Sequence, residues 1–215
     1  MIDVSNLKDA LETLGFVAHG DIHEKVFPEI GCSLKVDFHA KKLIYPNEIK
    51  GRERNNGFDK KENFVVFECV CRLLLKEYRP EHIELEKEWH LGHDPKGGRA
   101  DICVTDTSGN MLFIIECKTW GREYDKALNN TKSDGAQLFS YWQQEQSCKW
   151  LVLYASDLKG GCIVHKASTI DCSDDANIVL LSKRISPSSF IGMRTPHQPS
   201  MKPGKRPMEG RSMMI

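Results

Sequence analysis

The stretch RADICVTDTSGNMLFIIECKTW, residues 99–120, decides the fold. It contains two runs rich in Ile, Val and Phe, RADICVTD (99–106) and MLFIIECKT (111–119), separated by TSGN. Short apolar runs bounded by turn residues read as strands, and Ser108-Gly109 reads as the centre of a tight hairpin loop. Antiparallel pairing about that centre sets Asp101 directly opposite Glu116, with Cβ atoms about 5 Å apart. Side chains alternate along a strand, so Glu116 and Lys118 share that face while Ile115 and Cys117 turn to the other. Lys118 lies diagonal to Asp101, within reach of a long side chain. A strand that is otherwise apolar therefore ends in a small group of charges.

Two carboxylates this close repel each other, so one takes up a proton or a cation sits between them. Mg²⁺ suits all-oxygen ligands, keeps several waters, and binds one or two carboxylates plus a substrate phosphate; Mn²⁺ is a possible substitute. A lysine beside such a site can orient or deprotonate an attacking water, or steady charge on a phosphate. The pattern points to a metal site for phosphodiester hydrolysis. A structural Asp–Lys–Glu cluster on a solvated sheet face is the alternative, and a bulge in the hairpin would break the pairing.

Outward from the hairpin, helices and strands follow one another. Upstream, HIELEKEWHL (82–91) alternates as a strand, and KENFVVFECVCRLLLKEY, about 61–78, has apolar positions at helical spacing. Downstream, the polar WGREYDKALNNTK (120–132) reads as a loop and DGAQLFSYWQQEQ (134–146) as a helix. KWLVLYAS (149–156) is a buried strand that pairs with GGCIVHKAS (160–168) across DLKGG. Nearer the start, SNLKDALETLGF gives a helix over 6–14 with a serine N-cap, CSLKVDFHAKKLIYP (32–46) a strand or hairpin, and NEIKGRERNNGFDK (47–60) a loop. The order helix, three strands, helix, two strands implies a mixed α/β sheet with helices packed on it. The organisation is an N-terminal helix-and-hairpin extension over 1–60 packed on the core, a core over 61–182 and a tail over 183–215.

The tail carries seven Lys or Arg against one Glu, with five prolines, and reads as a disordered basic segment. A solvated tail explains that composition as well as contact with phosphates does. Lys plus Arg equal Asp plus Glu at 30 each, so bulk charge names no partner and a nucleic-acid binder would need a local basic face. No apolar run approaches a membrane span. The eight cysteines, without regular spacing, read as buried thiols of a reducing cytoplasm rather than a disulfide framework.

The pattern RAD(101)…IIE(116)CK(118) resembles the PD-(D/E)xK nuclease superfamily. More narrowly, GGRADICV…LFIIECKTW…GAQLFSYWQ is similar to the N-terminal nuclease domain of type I restriction enzyme R subunits and related single-chain restriction enzymes. That resemblance covers about residues 60–166. It implies a restriction-endonuclease-like mixed β-sheet flanked by helices, and a Mg²⁺-dependent endonuclease acting on double-stranded DNA. Asp101 and Glu116 would hold the metal with the backbone carbonyl of Cys117, and Lys118 would serve the attacking water. The Gln-x-x-x-Tyr element of the family matches Gln137 and Tyr141, whose spacing of four puts both on one helical face, able to reach DNA or brace the site. Ala100 stands where the family has proline. No GxxxxGK[ST] phosphate loop and no methyltransferase signature is present, so motor, methyltransferase and specificity functions would belong to other domains or subunits. A repair or junction-resolving nuclease of the same fold, and a nuclease-like module that only binds DNA, are the alternatives.

The helix before the sheet often supplies a further acid in such nucleases. Glu68, among Phe64, Cys71 and Leu75, is one candidate, since a carboxylate there needs a partner. Glu62 is the rival, although its place at the helix start suits interaction with the helix dipole. Arg99, Lys126 and Lys132 flank the site and could meet phosphates, with surface solvation an equal explanation. His90 and His93 are too few for zinc. Cys69 and Cys71 read as core; so does Trp142, while Trp120 is open between core and base stacking.

Overall fold

In a computed structural model of the chain, the structure describes residues 1–89, 98–134 and 136–183. His90, His93 and the tail beyond Lys183 lie outside the described residues.

The first part of the chain forms α1 (Leu7–Thr13) and a four-stranded antiparallel sheet of β1 (Val17–His19), β2 (Ile22–Phe27), β3 (Cys32–Asp37) and β4 (Lys42–Ile44). Asn6, not Ser5, is the residue at the N-cap of α1. Sequence patterning finds only the β3–β4 hairpin of this sheet. β1 and β2 escape it; β1 is three residues long and wholly exposed, so it has no apolar alternation to read.

Next comes α2 (Lys61–Leu75), which is buried on nearly every side from Asn63 to Leu74. A helix apolar all round has to be covered from more than one direction. On one side Phe67 meets Phe16 and Tyr45, at ring-centroid distances of 5.8 and 5.4 Å. On the other, the same core continues through Ile102, Ile115, Val152 and Tyr154. Those last residues belong to a five-stranded sheet, ordered β5 (Ile83–Glu88), β6 (Arg99–Thr105), β7 (Met111–Cys117), β8 (Trp150–Lys159) and β9 (Cys162–Asp171). All neighbours run antiparallel except β7 and β8.

A parallel pair needs a long crossover, and α3 (Arg122–Asp134) and α4 (Ala136–Gln144) supply it. They cover the face opposite α2 with a second core of Cys103, Ile114, Leu138, Tyr141, Leu151 and Leu153. A last helix, α5 (Asp175–Lys183), follows β9. The chain is thus mixed α/β with helices on both faces of the larger sheet. The loop expected over 120–132 is instead α3. Its Tyr124, Ala127, Leu128 and Thr131 fall at helical spacing, but the polar residues between them hide that stripe.

The hairpin holds its own correction. Ile102 pairs with Ile115, Cys103 with Ile114 and Val104 with Phe113, the expected register. Thr105 then pairs with Met111, which leaves Leu112 as a bulge. The tip, held by the Asp106 carboxylate on the N–H groups of Ser108 and Asn110, is a three-residue loop centred on Ser108 rather than between Ser108 and Gly109. Gly109 supplies the left-handed conformation there, at φ 84°. The two single-residue departures cancel, so the strands reach their far end in the register that turns Asp101 toward Glu116.

One edge of the larger sheet is sealed by the segment after β4. Lys50 bonds to both Ile83 and Leu85, and Gly51 passes so close that a Cβ there would lie 2.0 Å from the Leu85 carbonyl oxygen. Among the described residues, no helix is long and apolar enough to cross a membrane. All eight cysteines are free thiols; five are buried, Cys32 and Cys172 are half-buried, and Cys162 is exposed at the start of β9.

Candidate active site

The C-terminal end of β7 and the start of β6 carry the charged group. Glu116 is buried at 3% exposure, facing α4. Its Oε1 accepts from Lys118 Nζ at 2.6 Å, and its Oε2 from the Tyr141 hydroxyl at 2.9 Å. Lys118 Nζ also reaches Glu62 Oε1 at 3.0 Å. Asp101 Oδ2 accepts the backbone N–H of Cys117 at 2.7 Å. That contact follows from the pleat. Lys118 N–H donates to Tyr154 O across the parallel pair, so the polar groups of Cys117 point the other way, to β6. The Cys117 side chain is buried in the core on the α2 side, as alternation requires.

The electrostatics are those of an acidic cluster with one internal cation. Burial, and then the charges of Glu116 and Glu62, raise the Asp101 carboxyl well above its ordinary value. Burial also raises Glu116, although Lys118 and the Tyr141 hydroxyl work against it. Burial opposes the charge on Lys118, but Glu116 and Glu62 outweigh it and the ammonium is held more firmly than usual.

Tyr141 is fully buried and braces this group. Its hydroxyl lies against Glu116, the Arg99 carbonyl and the Gln137 side-chain amide, the last being a donor to it. Trp89 stacks on the ring at 5.6 Å, and Gly98 packs where a Cβ would come within 2.8 Å of it. Gln137 is exposed at the rim, one turn away from Tyr141. The Arg99 guanidinium pairs with the buried Glu86 at 2.5 Å.

Glu68 is not brought to this group. It is buried beneath the other face of the sheet, where Arg72 at 2.6 Å and the Tyr154 hydroxyl at 2.6 Å satisfy it. The partners its burial demands are thus an arginine one turn along its own helix and a tyrosine of β8. Glu62 is the acid of α2 that meets Lys118.

A cleft of about 560 Å³ opens beside Glu62, Glu116 and Lys118 and is walled by α3 through Lys126 and Thr131 and by α4 through Gln137. Of the α3 wall, sequence reading named Lys126 but missed Glu123, which accepts from Thr119 Oγ1 at 2.6 Å, and missed the helix that carries both. The spacing of Tyr124, Ala127, Leu128 and Thr131 was the signal for it. Trp142 and Trp120 both pack against the second core; Trp142 stacks on Phe139, and the Trp120 ring also meets two lysines.

Among the described residues, no three His, Cys, Asp or Glu side chains stand as a ready metal cage. The Lys118 ammonium lies between Glu116 and Glu62, where it takes the part of a cation. The donor set nevertheless fits a hard divalent ion. It is all oxygen, from the Asp101 and Glu116 carboxylates and the Cys117 carbonyl, and it carries more negative charge than Lys118 neutralises. Comparison with protein-family models and with curated proteins gives no match for the chain.

Proposed function

We propose that the chain is a metal-dependent endonuclease domain of the PD-(D/E)xK type, acting on double-stranded DNA, with a restriction-endonuclease-like core. The observation that carries this reading is the meeting of Asp101, Glu116 and Lys118 at one end of β6 and β7, beside an open cleft. Mg²⁺, held by Asp101, Glu116 and the Cys117 carbonyl, would supply charge neutralisation and a more acidic bound water. Lys118, kept as an ammonium by its neighbours, steadies negative charge on the phosphate or orients the attacking water; it is not a base in this state. Tyr141 fixes the orientation of Glu116, and Gln137 at the rim of the cleft is placed to meet substrate. A type I-like restriction system is the setting that the Gln137–Tyr141 element favours, with the motor, modification and specificity functions supplied by other domains or subunits.

Cleavage of supercoiled plasmid is the test. Wild type should nick or linearise it with Mg²⁺ or Mn²⁺ and fail in EDTA. Asp101→Ala and Lys118→Ala should lose cutting while remaining folded. Equal cutting by either variant would refute the assignment. DNA binding without any metal-dependent cleavage would instead favour a nuclease-like binding module.

A further inference from the structure

Trp120 follows the candidate site by two residues, and its ring gathers two cations. Lys159 Nζ lies 4.2 Å from the ring centroid and Lys166 Nζ 4.7 Å. The ammonium groups are therefore no farther apart than the sum of those distances, close enough to repel without an intervening anion. Lys159 makes no ion pair among the described residues. Lys166, half-buried and also 4.1 Å from the Tyr124 ring centroid, pairs with Asp125 at 3.1 Å, but that carboxylate side chain is 62% exposed, so the pair contributes little. The Trp120 ring is thus a seat for lysines rather than an open platform for a base.

Asp125 also lines a second open cleft with Arg122 and Lys126, which stand four residues apart on one face of α3. Lys126 lines both this cleft and the one at Glu116 and Lys118. A continuous path thus runs from the β8–β9 hairpin along α3 to the candidate site. It carries Lys159, Lys166, Arg122 and Lys126 against Asp125, with neighbouring Glu123 already tied to Thr119.

We propose that this path, from Lys159 and Lys166 at Trp120 to Arg122 and Lys126 on α3, seats the phosphate backbone of a nucleic acid that enters the Glu116–Lys118 cleft. It rests on the nuclease reading only for what that cleft receives. The spacing of cations along an open surface suits a polymer of phosphates, and contacts of this kind position a strand without reading its sequence.

The test is binding of a short fluorescein-labelled DNA duplex to the full chain in EDTA, followed by anisotropy between about 50 and 200 mM salt. Each lost lysine–phosphate contact lowers the slope of log affinity on log salt by about one. Lys159→Gln/Lys166→Gln should therefore flatten the wild-type slope by about two. Lys159→Arg/Lys166→Arg should restore it, which also guards against misfolding as the cause. An unchanged slope and affinity in the glutamine variant would overturn the track, as would wild type without salt-dependent binding. Loss of the nuclease reading has a different signature: no metal-dependent plasmid cleavage, while the slope still falls in the glutamine variant.

Discussion

Lys118 is held by carboxylates from two directions, one on its own strand and one from a helix 56 positions earlier in the chain. The strand partner is legible in the sequence because alternation and a hairpin place it. Glu62 is not, because nothing local says where the start of α2 will come to rest. Asp101 bears the consequence of this crowding. Its folded pKa is raised above the ordinary 3.8, so its fold-stabilising contribution is present below that value and is lost as pH rises through the folded pKa. In EDTA, wild type should lose stability from mildly acidic to neutral pH. Asp101→Asn keeps an oxygen for the Cys117 N–H without the charge, so it should be more stable than wild type at pH 7, with a flatter profile. Urea unfolding across that pH range checks both. A variant less stable than wild type at neutral pH would mean that the aspartate charge is already compensated.

At the scale of elements, α4 supports the site through one hydroxyl. Tyr141→Phe leaves Glu116 Oε2 buried without that donor and should lower stability by about 1–3 kcal/mol. Plasmid cleavage should weaken with it. Gln137→Ala, at an exposed rim, should stay within about 0.5 kcal/mol of wild type. Equal losses from the two substitutions would deny the bracing role. The edge seal is open to a similar probe. Gly51 has φ 71°, and its Cβ position is taken by the Leu85 carbonyl, so Gly51→Ala should destabilise by about 1 kcal/mol or more, measured as a shift in thermal midpoint. The strands of the larger sheet are readable from their apolar runs. The bulge at Leu112 is not, because a turn shifted by one residue and a bulge leave the same register at the site. The polarity of α3 hides it in the same way.

The whole molecule is joined through α2. Phe67 touches rings from the N-terminal part, and the core around it continues into the five-stranded sheet. Phe67→Ala should therefore cost about 3–5 kcal/mol, with near- and far-ultraviolet signals still falling together in a single transition. Two separate transitions would mean that the four-stranded sheet and the larger sheet unfold independently. Sequence patterning gives the first sixty residues as an extension packed on the core but not which side chains meet there, because core continuity between distant segments leaves no periodic trace. The exposure of the cysteines has a practical side. Cys162 is the one exposed thiol of the eight, Cys32 and Cys172 being half-buried, and it opens β9 beside the turn between the strands that bear Lys159 and Lys166. A maleimide fluorophore should attach there in the unmodified chain, giving an optical handle on whatever approaches that end of the molecule without mutating a residue.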